Sequence, residues 1–269
     1  MSTQKSESPP LQLLLDVGNT RCKWQLRNAR GKAMAAAASS GELQQIPASI
    51  AGIMREGGFQ PADLQRVRVA AVRSEADQQT LAQALRATFA CPVDFAHTQS
   101  ETLGLKNSYR QPLHMGVDRW CAVIAAATEA GIPGADSDAC VVDAGSAVTV
   151  DWINHQGQHI GGYITPGYAM QLRSLLSETG KVFAQPQAAA GDIEPGSDTH
   201  SAVHNGILAA IVAHIKSSID RQGAQQPAEV ALYLTGGDAT LLLPHLQNLS
   251  LKPMHRPDLV LDGLALLLP

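Results

Sequence analysis

Short apolar runs closed by turn-forming residues recur along the chain in two series, the pattern expected of strands ending in functional turns. The first run, Gln12 to Val17 in "QLLLDVGNT", predicts a strand that turns at Asp16-Val17-Gly18-Asn19-Thr20 and returns over Cys22 to Leu26. Helix-like spacing covers Leu43 to Met54, and the alternating "VRVAAV" from Val67 to Val72 predicts a strand. A helix follows over Ser74 to Phe89, with Leu81, Leu85 and Phe89 on one stripe and Ser74 set three residues before Asp77 in the manner of an N-terminal cap. The stretch up to Met115 is loop-like and leads into an alanine-rich helix over Asp118 to Ala130.

The second series starts at Ala139 to Val142 and runs into "DAGSAVTVDW", which repeats the opening pattern: strand, Asp143, one residue, Gly145, small hydroxyl residues, and a returning strand from Val148 to Ile153. "GGYITPGYAMQLRSLLSE" predicts a strand, a Pro-Gly turn and a helix. Gln185 to Ser197, rich in Ala, Gln, Pro and Gly, reads as a flexible loop. Thr199 to Asp220 predicts the longest helix, with Ile207, Ile211 and Ile215 on one stripe and Ala202, Gly206 and Ala210 as small positions that admit another helix. Val230 to Leu234 predicts a strand entering "TGGDA", and Leu259 to Leu261 a last strand before a short apolar helix. The two Asp-x-Gly hairpins, almost half a chain apart, imply an internal duplication into two similar α/β halves. The expected boundaries are a disordered tail over 1–10, an N-terminal domain over 11–125 and a C-terminal domain over 126–269.

Composition narrows the chemistry. A chain of 269 residues that is 45% hydrophobic and 16% charged reads as globular. A net charge of -4 gives no electrostatic reason to expect nucleic acid or an anionic membrane as partner, so an anionic ligand needs a local site. Cys22, Cys91, Cys121 and Cys140 form no Cys-x-x-Cys pair, which argues against a zinc site and a disulfide framework and fits a reducing compartment. "MSTQKSESPP" lacks the apolar centre of a signal peptide, and no run resembles a membrane span, so the expectation is a cytoplasmic protein.

One Asp-x-Gly hairpin is a common turn. Two, with a third glycine turn at Thr235 to Ala239, suggest closure around the phosphates and base of a nucleotide, because glycine lets backbone N–H groups approach an anion. His200 and His204 share a helix face at i, i+4, but no third ligand accompanies them, and a surface pair is the simpler reading. Trp24 and Trp120 read as core.

In order, "DVGNTRCKW", "GVDRW", "DAGSAVTVD", "GGYITPG" and "TGGDA" closely resemble the motifs of the type III pantothenate kinases, members of the acetate and sugar kinase, heat-shock ATPase and actin superfamily. The resemblance runs from about Leu11 to "PDLVLDGL". It implies two ribonuclease H-like domains, the actin-like duplication, with the active site in the cleft between them. It implies ATP-dependent phosphorylation of pantothenate to 4′-phosphopantothenate in coenzyme A biosynthesis, by a homodimer whose interface lies in the C-terminal domain.

Residue by residue, Asp16, Val17, Gly18, Asn19, Thr20, Arg21, Cys22 and Lys23 resemble the first phosphate loop, which implies Asp16 near Mg²⁺ through water and the following residues around ATP. Asp143 matches the aspartate of a monovalent cation site for K⁺ or NH₄⁺. Ser146 stands where the family usually has an ATP-contacting threonine, and Thr235, Gly236 and Gly237 resemble the adenosine-side turn. Gly116, Val117, Asp118 and Arg119 match the Gly-x-Asp-Arg motif that binds pantothenate and supplies Asp118 as catalytic base. Tyr109 matches a substrate-contacting tyrosine, and Thr199 a threonine offered to pantothenate across the dimer.

The residue types suit phosphoryl transfer, which requires positioning, charge neutralisation and a group to accept the alcohol proton. Arg119 has a planar fork that suits either the substrate carboxylate or the transferring phosphoryl. Simpler alternatives stand beside these roles: an acidic helix start with an exposed arginine for Asp118 and Arg119, a packed aromatic for Tyr109, an N-cap for Thr199, a solvated strand position for Lys23. Rival functions are a kinase for another small alcohol, which a substrate panel separates, and a nucleotide-binding accessory protein without turnover, against which the set Asp16, Asp118, Arg119 and Asp143 argues. A DNA-binding regulator lacks a basic patch.

Overall fold

The computed structural model describes residues 10–178, 192–223, 229–247 and 251–269. The expected tail, apart from Pro10, and residues 185–191 of the expected flexible loop lie outside the described residues. In chain order the strands are β1 (Leu11–Val17), β2 (Cys22–Asn28), β3 (Ala33–Ser39), β4 (Leu64–Ala71), β5 (Val93–Phe95), β6 (Glu101–Thr102), β7 (Leu105–Lys106), β8 (Ser137–Ala144), β9 (Ala147–Ile153), β10 (His159–Pro166), β11 (Glu229–Thr235) and β12 (Pro253–His255). The helices are α1 (Ile46–Glu56), α2 (Glu75–Phe89), α3 (Val117–Ala130), α4 (Tyr168–Glu178), α5 (Thr199–Gly223), α6 (Ala239–Leu246) and α7 (Leu259–Leu267).

The chain forms two compact units: one from the described parts of Met1–Thr98, Met115–Cys121 and Val260–Pro269, the other from those of Gln99–His114 and Ala122–Leu259. The first holds a sheet in the order β3-β2-β1-β4-β5, the second a sheet in the order β10-β9-β8-β11-β12. In both, the first three strands in sequence pair antiparallel and the last two add parallel, so the two sheets share one topology. This is the duplication expected from the repeated hairpins.

Strand periodicity decides what each face of the first sheet carries. Leu11, Leu13, Leu15 and Val17 of β1 point to one side, where Trp24, Ile50, Met54, Leu81, Leu85 and Phe89 complete a buried core with α1 and α2. Gln12, Leu14 and Asp16 therefore point to the other, which α7 helps to cover: Arg27 Nη2 contacts Asp262 Oδ1 at 2.5 Å and Arg68 Nη1 donates to the Ala265 carbonyl at 3.3 Å. In the second unit β8, β9 and β11 pack with α5 and α6 through Val142, Val150, Ile211, Ile215, Leu234 and Leu242.

Besides β3, β5 and α6, which the sequence reading does not predict, the C-terminal end differs from it. Leu259 to Leu261, read as a strand, opens the helix α7, and the last strand is Pro253–His255. A short apolar run does not distinguish a buried strand from a buried helix, and Asp262 follows it to pair with Arg27. By length and composition alone α5 is long and apolar enough to cross a membrane, a test that a core helix also passes, and its Leu208, Ile211, Val212, Ile215 and Ile219 are buried in the second core.

Candidate active site

The first hairpin keeps a tight register, with Asp16 opposite Lys23 and Val17 opposite Cys22, and the turn closes through the Gly18 N–H donating to the Arg21 carbonyl at 3.0 Å. Val17 and Cys22 are buried while Asn19, Thr20 and Arg21 are exposed, so the anchor is apolar and the tip is presented. The tip borders a recess also lined by Ser39, Ser40, Gly41, Ile46 and Arg73. Burial, and after it the Asp16 carboxylate, pushes the Cys22 thiol up to about 12, which rules it out as a nucleophile near neutral pH.

Asp118 lies in the first turn of α3, where a carboxylate is favoured by the helix dipole. Its Oδ1 accepts the Arg119 N–H at 2.7 Å, and it folds over Gly116 so closely that a Cβ there would stand 2.5 Å from it. That close approach is a physical reason for glycine two residues before the aspartate. The preceding turn is fixed by the buried Thr98 hydroxyl donating to the Met115 carbonyl at 2.8 Å. Burial holds the Cys121 thiol well above its ordinary range, and both Asp16 and Asp118 add to that shift, so one buried thiol senses the field of the two carboxylates. Arg119 is buried at 5% exposure, unlike the exposed arginine of the simpler reading. Trp24 and Trp120 are core, both fully buried.

In the second unit the β8–β9 hairpin closes through the Gly145 N–H donating to the Ala147 carbonyl at 2.9 Å. Parallel pairing sets Thr235 of β11 beside Asp143, which brings the third glycine turn to the second hairpin. Gly236 has φ +95°, and a Cβ there would collide with the Ala144 carbonyl oxygen and stand 2.5 Å from Asp143 Oδ1. The Asp238 N–H donates to the same Ala144 carbonyl at 2.8 Å. Gly167 completes the cluster, its N–H donating to the Ser146 carbonyl at 3.0 Å. Thr235 is buried with its hydroxyl 3.4 Å from the Pro257 carbonyl, which leaves the backbone of Gly236 and Gly237 as the presented surface of that turn.

Tyr109 stacks on His159 with ring centroids 6.4 Å apart. His159 and Asp151 are both buried and paired at 3.0 Å through Nε2 and Oδ1, while His159 Nδ1 stands 3.0 Å from the Ser108 hydroxyl. A ring carrying its proton on Nε2 satisfies both bonds, donating to Asp151 and accepting from Ser108. Thr199 is exposed in the first turn of α5, and the cap is Asp198, whose Oδ1 accepts the Ser201 N–H at 2.9 Å. His200 and His204 are not a surface pair: His204 is buried and bonds the Tyr168 hydroxyl through Nδ1. Among the described residues no group of three or more His, Cys, Asp or Glu is placed to hold a metal.

Oxygen donors, which hard cations prefer, stand at both hairpins: Asp143 Oδ1 and the Ala144 carbonyl, which also accepts the Asp238 N–H, lie close to Gly236, and Asp16 offers one carboxylate.

The family model described as type III pantothenate kinase matches residues 12–221. The chain is 36% identical to the type III pantothenate kinase of Marinobacter nauticus, over 94% of this chain and 96% of that one, and 34% identical to the one of Acinetobacter baylyi over the same shares. This chain belongs to the type III pantothenate kinase family. Among solved structures the ethanolamine utilization protein EutJ from Carboxydothermus hydrogenoformans matches with a TM-score of 0.55 at 14% identity, over 97% of this chain and 90% of that one, a likeness of fold. The kinase motifs thus fall into two clusters. Asp16 to Lys23, Gly116, Val117, Asp118 and Arg119 belong to the first unit, and Tyr109, Asp143, Ser146, Thr199 and Thr235 to Gly237 to the second.

Sequence reasoning missed Arg73, which donates through Nε to the Gly18 carbonyl at 3.0 Å and through Nη2 to the Asn19 carbonyl at 2.8 Å. It also missed the His159–Asp151 pair, for which the charge inside "VTVDWI" was an available signal.

Proposed function

We propose that this family member transfers the γ-phosphoryl group of ATP to the primary hydroxyl of pantothenate, giving 4′-phosphopantothenate and ADP. The observation that carries the proposal is the Asp118 carboxylate, held over Gly116 by the Arg119 N–H and sharing with Asp16 its influence on the buried Cys121. A base and a phosphate-loop carboxylate in one neighbourhood are what in-line transfer to an alcohol requires.

As the hydroxyl oxygen bonds to the γ-phosphorus, Asp118 accepts its proton, and the bond to the bridging oxygen breaks with its electron pair leaving on ADP. Gly18 closes the turn and lets the phosphates approach, while Asn19 and Thr20 present backbone N–H groups and Thr20 its hydroxyl. Arg119 binds the pantothenate carboxylate or the transferring group. In the second unit Ser146 and the Thr235 to Gly237 turn serve ATP, and Tyr109 and Thr199 serve pantothenate. Mg²⁺, accompanying ATP, would be held near Asp16 through water and supplies neutralisation of phosphate charge. K⁺ or NH₄⁺ would be held by Asp143. A cytoplasmic homodimer is part of the proposal, and the exposed apolar residues Tyr163 and Ile164 on β10 and Met170 and Leu175 on α4 support the association of two copies.

The test is coupled ADP release with ATP, Mg²⁺ and pantothenate, in K⁺ and then Na⁺, for the wild type and Asp118→Asn. Pantothenate-dependent release that needs Asp118 and is faster in K⁺ is expected. Nucleotide binding without pantothenate-dependent release would favour an accessory role instead.

A further inference from the structure

We infer that Arg73 is a positioning residue for the nucleotide: its guanidinium orients two peptide planes of the first phosphate loop so that their N–H groups face the phosphates. Arg73 stands just after β4, and its backbone is fixed there. The neighbouring Val72 N–H reaches the Val17 carbonyl at 3.4 Å, and the Gln78 side chain donates to the Arg73 carbonyl at 3.0 Å from the first turn of α2. From this base the side chain spans two consecutive carbonyls, Nε to Gly18 at 3.0 Å and Nη2 to Asn19 at 2.8 Å.

A trans peptide is planar, with its C=O and the following N–H pointing in opposite directions. Holding the Gly18 and Asn19 oxygens toward Arg73 therefore turns the N–H groups of Asn19 and Thr20 away from it. Successive N–H groups aimed to one side make an anion-binding concavity. Gly18 N–H, bonded to the Arg21 carbonyl, closes the turn from the other end, so the loop conformation is set before any ligand arrives. Two parallel donors in a rigid fork are available only from arginine; a lysine ammonium keeps the charge but cannot hold both planes. The cation also lies close enough to Cys22 to pull against the Asp16 field, so positive charge accompanies the oriented amides.

This inference rests on the reading of the loop as a nucleotide site, and the test separates the two. MgADP and a non-hydrolysable MgATP analogue are titrated calorimetrically into the wild type, Arg73→Lys and Arg73→Ala, with melting temperatures and pantothenate KM measured alongside. Both variants are expected to bind nucleotide about ten- to a hundredfold more weakly, as for the loss of charge-assisted hydrogen bonds, with pantothenate KM within about twofold. Millimolar guanidinium is expected to restore part of the affinity of Arg73→Ala, a recovery that a general loss of folding does not allow. Arg73→Lys binding as tightly as the wild type would overturn the inference, as would equal loss of nucleotide and pantothenate affinity without guanidinium rescue. Wild-type protein that binds nucleotide but lacks pantothenate turnover would sink only the substrate assignment; wild type that binds no nucleotide would sink the loop reading and the role of Arg73 together.

Discussion

Replacing Gly116 by alanine separates the position of the Asp118 carboxylate from its presence. Gly116 does not adopt a left-handed backbone, so alanine is conformationally acceptable there, and the other close neighbour, Val72 Cγ1, is at an ordinary 3.5 Å. The conflict is with Asp118 Oδ1, 2.5 Å from the new methyl. A carboxylate can yield by rotating, but it then leaves its staggered well and its 2.7 Å bond from the Arg119 N–H. The two losses together cost about 1–2 kcal/mol of stability. Displacing a reacting group by about an ångström costs far more in rate, on the order of a hundredfold in kcat. ADP release at saturating ATP and pantothenate, together with a urea titration, reads both quantities. A kcat within about threefold of wild type in a folded Gly116→Ala protein would refute the argument that this glycine exists to seat the base.

Further outcomes follow from the same geometry. Gly236→Ala combines a left-handed φ with a collision against backbone, and is expected to lose about 3 kcal/mol in urea unfolding, with an unchanged midpoint contradicting the close approach to Ala144. His159→Leu leaves the buried Asp151 without that partner and is expected to cost about 3 kcal/mol and to raise the KM for pantothenate, because Tyr109 loses its stacking surface; an unchanged melting temperature would count against it. Burial raises the pKa of all four thiols, and only Cys91 is partly exposed, so a thiol reagent on native protein at neutral pH should modify Cys91 slowly and the other three only on unfolding. Rapid labelling of Cys22 would mean that the first hairpin opens.

What was legible in the sequence depended on how locally each feature is determined. β1, β8 and their hairpins announced themselves because the apolar run and the Asp-x-Gly turn lie in one short window. Ser74 caps α2 as its spacing with Asp77 suggests, its hydroxyl accepting the Asp77 N–H at 3.1 Å. β3 was not legible: "AMAAAAS" has no strong alternation, and its strand character comes from pairing along β2. α7 was misread because its entrance is apolar on every side and only Arg27 explains Asp262. In the site, the turns could be found but not their assembly, since the neighbourhood of Thr235 and Asp143 is created by parallel strand register. Arg73 was invisible for a different reason. Its partners are backbone carbonyls far away in sequence, and a backbone acceptor leaves no residue-type signature.

The role of Asp118 in phosphoryl transfer to pantothenate is tested by mass-spectrometric detection of 4′-phosphopantothenate after incubation with ATP, Mg²⁺ and pantothenate. The wild type is predicted to form it stoichiometrically with ADP, and Asp118→Asn, still binding nucleotide, to form it orders of magnitude more slowly. Equal product from both proteins would contradict the role of Asp118, and ADP without phosphorylated pantothenate would contradict the acceptor.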